Sequence, residues 1–254
     1  MLKKHSVLKR CSSRKNCFTL FIFALYSDKI GEKAIITEAL FMNYKQLLID
    51  SGKRMLESGL TVETWGNLSL RDPKTGYIYL TPSAMPYNTI SEEDVVVLDA
   101  DGNRVEGERK PTIEYAMHLE IMKNRPDVNA IIHTHPIYSQ VFGTLHEDIP
   151  PVIDEAAQTM GGAVRVAKYA IPGTQELADN VTKALGSGAA CLMANHGAVC
   201  VGKDMDAAFK TCTVLEMTAR IYYMARCIGN PQPLSQEVIT EMLETVCKHY
   251  GQGK

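Results

Sequence analysis

The chain has 254 residues, of which 45% are hydrophobic and 22% charged, with a formal net charge of −2. These are values of an ordinary globular protein, long enough for one large domain or two small ones. Residues 1–41 hold eight Lys/Arg against three Asp/Glu and the remainder 19 against 26, and so mildly acidic a body lacks the clustered cations that nucleic acid demands.

Lys3, Lys4, Lys9, Arg10, Arg14 and Lys15 precede an apolar run from Cys17 to Tyr26. The run is too short to span a membrane. It resembles a signal peptide, but the nearest cleavage candidate, Ala24-Leu25-Tyr26, ends in a bulky residue. Residues 1–41 are therefore read as an extension outside the fold, and 42–254 as the domain. Leu47, Leu48, Met55 and Leu56 form a helical stripe within 43–58, ended by Ser58-Gly59. A hairpin follows, Thr64 to Leu70 and Tyr77 to Leu80, around the turn Asp72-Pro73-Lys74-Thr75-Gly76. Val95 to Leu98 is a strand closed by Asp101-Gly102, and Thr112 is the expected N-cap of a helix stopped by Arg125-Pro126. Val128 to Thr134 is a strand, and Ile137 to Thr144 a short helix. Strands at Val164-Arg165-Val166 and Ala189 to Ala194 follow, with a helix from Thr174 to Leu185 between them. Helices over Ala207–Cys227 and Ser235–Lys248 complete the chain. No βαβ repeat appears. The pattern predicts an α/β fold of the α+β type, with a mixed, largely antiparallel sheet between helix layers as a single-domain three-layer sandwich.

The seven cysteines are scattered, none in C-x-x-C, and several sit in apolar runs such as Ala190-Cys191-Leu192. They read as reduced thiols of a cytoplasmic protein.

Chemistry concentrates in Ile131-Ile132-His133-Thr134-His135 and Asn195-His196-Gly197. Alternation along a strand puts His133 and His135 on one face, about 7 Å apart, so both can reach one ion at roughly 2.0–2.1 Å. His196 is the natural third ligand. Three protein ligands with an open position describe a catalytic zinc site, although this donor set would also accept Co²⁺ or Mn²⁺. Glu114 lies near a helix start; if its carboxylate approaches the ion, it could ligate the resting metal or act as a general base. His118, one turn on, reads as a packing or supporting residue. Gly66-Asn67-Leu68-Ser69, Thr81-Pro82-Ser83 and Lys110-Pro111-Thr112 are hydroxyl- and glycine-bearing loops. With the helix start, where free N–H groups favour anions, Asn67, Ser83 and Thr112 could hold a phosphate.

The ordered set G-N-L-S, T-P-S, K-P-T-x-E, H-T-H and N-H-G, across residues 43–250, resembles the class II (zinc-dependent) sugar-phosphate aldolase family. The nearest likeness within it is to the fuculose-phosphate aldolases. The resemblance implies zinc held by His133, His135 and His196, with Glu114 as fourth ligand or base. It puts phosphate on Gly66, Asn67, Ser83, Ala84 and Thr112, and a tail tyrosine, Tyr250, over the site. It implies cleavage of a ketose 1-phosphate, such as L-fuculose 1-phosphate, to dihydroxyacetone phosphate and a small aldehyde through an enediolate. It also implies a homotetramer with active sites between subunits. Three departures stand out. Ile113 replaces a phosphate-binding serine, and Ala84 replaces a glycine. No tyrosine lies in Pro151-Val152-Ile153-Asp154-Glu155, where the family brings a proton donor from a neighbouring subunit, leaving Asp154 or Glu155 as substitutes. Competing readings are a 4-epimerase, decarboxylase or dehydratase on the same zinc, a zinc hydrolase, and a non-catalytic adducin-head-like module. The epimerase pattern carries Asp where Glu114 stands, and the module predicts eroded histidines.

Overall fold

The computed structural model describes residues 42–249; the extension read at 1–41, and Tyr250, lie outside the described residues. In chain order the elements are α1 (Tyr44–Glu57), β1 (Asn67–Arg71), β2 (Ile78–Leu80), β3 (Val96–Leu98), β4 (Arg104–Glu106), α2 (Tyr115–Asn124), β5 (Ala130–Thr134), α3 (Ile137–Leu145), α4 (Asp154–Met160), β6 (Arg165–Ala167), α5 (Gln175–Leu185), β7 (Ala190–Met193), β8 (Gly197–Gly202), α6 (Met205–Ile228) and α7 (Gln236–His249). The strands form one sheet in the order β4-β3-β2-β1-β5-β8-β7-β6. Every pairing is antiparallel except β6 with β7.

The period-two alternation of the strands sorts their side chains into two cores on opposite faces of the sheet. Ala130, Ile132, Ala198 and Cys200 face Leu48 and Met55 of α1, Phe142 of α3 and Phe209 and Leu215 of α6. Ile131, Val199 and Val201 face Met117 and Ile121 of α2 and Leu177 and Val181 of α5. Burial on both faces explains why β5 and β8 read as nearly continuous apolar runs rather than as alternating ones. The expected helix–sheet–helix sandwich is what forms.

The two helix layers are tied to the sheet by specific polar contacts. Asp204 caps α6 by accepting from the Ala207 N–H at 2.8 Å, so that helix starts two residues earlier than the apolar stripe suggests. Glu216, midway along α6, accepts from the Tyr138 and Ser139 N–H groups at 2.8 and 2.9 Å, which satisfies the open N-terminus of α3. Arg71 at the end of β1 donates to the Met122 carbonyl at 2.8 Å and to the Val128 carbonyl, fastening the α2–β5 loop.

Three elements escape the sequence reading. β4 is fully exposed and carries no apolar period. α4 is seven residues of mixed character after the Pro150-Pro151 break. β8 begins on a glycine directly after His196, so the run Gly197–Gly202 is hidden in what reads as the tail of the ligand motif.

Candidate metal centre and active site

His133 stands on β5 directly opposite Asn67 of β1 and Val199 of β8. It shares a sheet face with Ile131, toward α2. β5 ends at Thr134, so His135 leaves the strand; its backbone N–H donates to the Leu60 carbonyl at 2.9 Å, and its ring returns beside His133. His196 sits in the tight β7–β8 hairpin, where Met193 pairs with Gly197 and Asn195 takes a left-handed φ of 54°. The His146 ring contacts Asn195 Oδ1 at 2.6 Å and holds that turn.

Two glycines make this approach possible. A Cβ on Gly197 would lie 2.4 Å from the Thr134 carbonyl oxygen and 3.1 Å from the His133 ring. A Cβ on Gly66 would lie 2.6 Å from the His133 carbonyl oxygen, and Gly66 has φ +74°. Only a residue without a side chain lets these loops close on the histidine strand. The sequence marks Gly66 through its loop and Gly197 only as the flank of His196. The buried Tyr87 hydroxyl donates to the Gly66 carbonyl at 2.7 Å and pins the first loop.

The three imidazoles form a cluster with ring centroids 4.8, 4.8 and 5.2 Å apart, and their candidate ligand atoms all lie within 4.8 Å of one another. Nδ1–H of His133 donates to the Ala198 carbonyl at 3.0 Å, which leaves a lone pair on Nε2. That lone pair faces His135 Nε2 at 3.0 Å and Glu114 Oε2 at 3.2 Å. Glu114 Oε1 is 3.4 Å from His196 Nε2 and is buried without a hydrogen-bond partner. The histidine–carboxylate contacts are not ion pairs. Burial pushes His133 and His196 down to about 4 and His135 to about 3, so all three rings are neutral at pH 7. Nitrogens of three neutral imidazoles and the Glu114 carboxylate oxygens thus converge, with none of the three rings positively charged. A buried acceptor left unsatisfied costs about 1–3 kcal/mol, and a divalent cation is what this donor set fits.

Glu114 is not inside the helix but at the N-cap of α2, which starts at Tyr115. Thr112, expected as the cap, lies further out. The chain turns through two more residues before the helix hydrogen bonds begin, and the Thr112 hydroxyl accepts from the Glu114 N–H at 3.4 Å. Asn67, Ser83, Ala84, Thr112 and Glu114 line one cleft of about 250 Å³ with the three histidines. Ser83 and Thr112 are brought together by two backbone bonds, Ser83 N–H to the Lys110 carbonyl at 2.9 Å and Thr112 N–H to the Thr81 carbonyl at 3.0 Å. Ala84 adopts φ +54°, so the left-handed turn persists without the glycine. Ile113 is exposed at the cleft edge. Asp154 and Glu155 are exposed in the first turn of α4 and do not line this cleft.

Trp65 and His118 carry more of the site than the sequence suggests. The Trp65 indole, the chain's single tryptophan, lies 5.9 Å from the His135 ring and is 61% exposed. It joins the cleft to a second hollow of about 430 Å³ that adds Val62 and Tyr169. His118, completely buried, joins Asn67 at 2.6 Å.

Comparison with known proteins agrees with this geometry. The chain is 36% identical over 213 residues to 5-deoxy-D-ribulose 1-phosphate aldolase of Bacillus thuringiensis serovar kurstaki, covering 84% of this chain and 99% of that one. It is 32% identical over 205 residues to L-fuculose phosphate aldolase of Escherichia coli K12, covering 80% and 94%. A solved structure of an L-fuculose 1-phosphate aldolase superposes with a TM-score of 0.79 at 40% identity, over 82% of this chain and 97% of that one. Residues 46–223 match the class II aldolase and adducin N-terminal domain family. With its histidine cluster and glutamate intact, the chain belongs to that family as a class II aldolase of the fuculose-phosphate aldolase type, a carbon–carbon lyase.

Proposed function

We propose that the protein is a zinc aldolase that cleaves a ketose 1-phosphate with a deoxygenated far end to dihydroxyacetone phosphate and a small aldehyde. L-Fuculose 1-phosphate and 5-deoxyribulose 1-phosphate are the candidate substrates. The observation that carries this reading is a single cleft with a neutral three-histidine cluster and Glu114 at one end and Ser83 and Thr112 at the other. His133, His135 and His196 would hold the ion, with Glu114 as the further oxygen donor. When bound, the ion supplies Lewis-acid polarisation of the ketose carbonyl. Glu114 handles the proton of the dihydroxyacetone phosphate half as the C3–C4 bond breaks. The Ser83 and Thr112 hydroxyls, Asn67 and the Gly66–Ala84 side of the cleft hold the phosphate. Because Ile113 offers no hydrogen bond, that grip uses fewer side-chain donors than the usual serine pair.

The second hollow favours a deoxygenated terminus. Val62, Trp65 and Pro172 offer a methyl end apolar surface there, beside the polar Gln140 and Asn195. Tyr250 is proposed to close over the site, and the assembly is proposed as a tetramer. Ile221, Met224 and Ile228 of α6, exposed by 39, 53 and 90%, support an apolar contact between copies. The buried, unpaired Cys191, Cys200 and Cys212 support a reducing, cytoplasmic setting. Among the described residues, no helix is long and apolar enough to cross a membrane.

The test is a coupled assay for dihydroxyacetone phosphate with both ketose phosphates, alongside metal analysis. Release that EDTA abolishes, Zn²⁺ restores and Glu114→Gln lowers by about 10²-fold or more is the expected result. Bound metal without release would move the chemistry to the epimerase, decarboxylase or dehydratase branch. A protein that binds no metal would overturn the catalytic reading.

A further inference from the structure

We propose that Ser69, His118 and Asn67 form a buried hydrogen-bonded strut that positions Glu114, locking its Oε2 and leaving Oε1 as the oxygen that works on substrate. The proposal rests on the aldolase reading above and deepens it. His118 is four residues beyond Glu114 on α2, so both side chains lie on one helix face. Asn67 and Ser69 are two residues apart on β1, and so share the sheet face opposite. The resulting contacts run Ser69 Oγ to His118 Nδ1 at 2.6 Å, His118 Nε2 to Asn67 Oδ1 at 2.6 Å, and Asn67 Nδ2 to Glu114 Oε2 at 2.8 Å.

The chemistry of the groups dictates every donor. Asn67 donates its Nδ2–H to Glu114 Oε2 and so turns its Oδ1, which only accepts, to His118. His118 therefore carries its proton on Nε2 and accepts at Nδ1, and the Ser69 hydroxyl donates. The ring and the serine are completely buried, Asn67 is 6% exposed and Glu114 4%. Burial also holds the His118 ring neutral, with its pKa lowered to about 3. The strut is not a proton wire, since the asparagine amide in its middle has no proton to pass on at neutral pH. What it does is mechanical. Glu114 sits at the cap of α2, outside the regular helix, and the strut fixes which way its carboxylate turns. Oε2 is held by Asn67 and lies 3.2 Å from His133 Nε2, while Oε1, 3.4 Å from His196 Nε2, has no hydrogen-bond partner.

His118→Leu removes the donor to Asn67, whereas His118→Gln keeps an N–H in its place. The expected outcome for His118→Leu is a kcat about 30-fold lower, with KM within about two-fold and metal content unchanged, on the scale seen when groups behind a metal ligand are removed. His118→Gln should recover kcat to within about five-fold of wild type. A folded His118→Leu with wild-type kcat, or a loss in KM and metal instead of kcat, overturns the proposal. Should His118→Leu not fold, Ser69→Ala takes its place, with an expected loss of about three-fold in kcat alone and an unchanged kcat counting against the strut. Independently of turnover, ¹⁵N spectra of the metal-free wild-type protein should show His118 as the Nε2–H tautomer, and an Nδ1–H tautomer overturns the strut. If the wild type cleaves neither ketose phosphate, the aldolase reading fails, while the tautomer still decides the strut.

Discussion

The metal end of the cleft is anchored on paired strands, with His133 on β5, His135 just past its end and His196 in the β7–β8 turn, whereas its phosphate end is assembled from two loops. His133 is held in the middle of the sheet by β1 and β8 on either side, and His196 by a three-residue hairpin turn, Ala194 to His196, whose entry into the site requires Gly197. Ser83 and Thr112 depend on a short bridge between Thr81–Ser83 and Lys110–Thr112, with Ala84 in a left-handed turn and Ile113 exposed beside it. The contrast teaches a division of labour. Bond cleavage needs donors fixed to fractions of an ångström, which a sheet supplies. Substrate choice can be tuned in loops without disturbing that register.

The contrast breaks most sharply at Gly197. In Gly197→Ala the new Cβ meets the Thr134 carbonyl, a backbone atom that cannot move without unpairing β5 from β8. We expect a loss of about 3 kcal/mol, seen as a melting temperature lower by about 10 °C, together with loss of bound metal. A variant that keeps both would mean that the sheet is softer than its register implies.

At the loop end the effect should be on binding. Thr112→Ala is expected to raise KM for the phosphorylated substrate about ten-fold with little change in kcat, while Thr112→Ser restores it. A fall in kcat instead would place Thr112 with Glu114, whose N–H it accepts.

Acid separates the two ends as well. In the unfolded chain an imidazole takes its proton near pH 6.5, but His133 and His196 hold out to about 4 and His118 and His135 to about 3. Between these limits the unfolded chain binds more protons than the native one. The metal-free protein should therefore be most stable above pH 6.5 and lose stability steadily as the pH falls toward 4. Thermal melts across that window measure it, and a flat profile would mean that the rings are solvated. The smallest change should come from Ala84→Gly. Relief of a left-handed alanine and the extra freedom of the unfolded glycine nearly cancel, leaving a shift within about 0.5 kcal/mol.

The sequence determined by itself the features that rest on local chemistry. The 3.6-residue stripe of α1, the 2.0-residue period of β1, the proline stop after α2 and the spacing of His133 and His135 need no long-range contact to be read. The ordered motifs carried the family for the same reason. Tertiary structure alone decided the rest. β4 has no core to face and so no pattern, and β8 is a strand because β5 and β7 hydrogen-bond it on both sides. Thr112 reads as the helix cap on propensity, but its pairing with Thr81 holds it away from the helix, and Glu114 takes the cap position. His118 reads in the sequence only as a packing or supporting residue, since one histidine on an apolar helix face has no signature of what it touches. Only the packing of α2 on β1 brings it to Asn67, Asn67 to Glu114 and Glu114 to the three imidazoles, because the partners of a buried polar group are chosen by the fold and not by its neighbours in the chain.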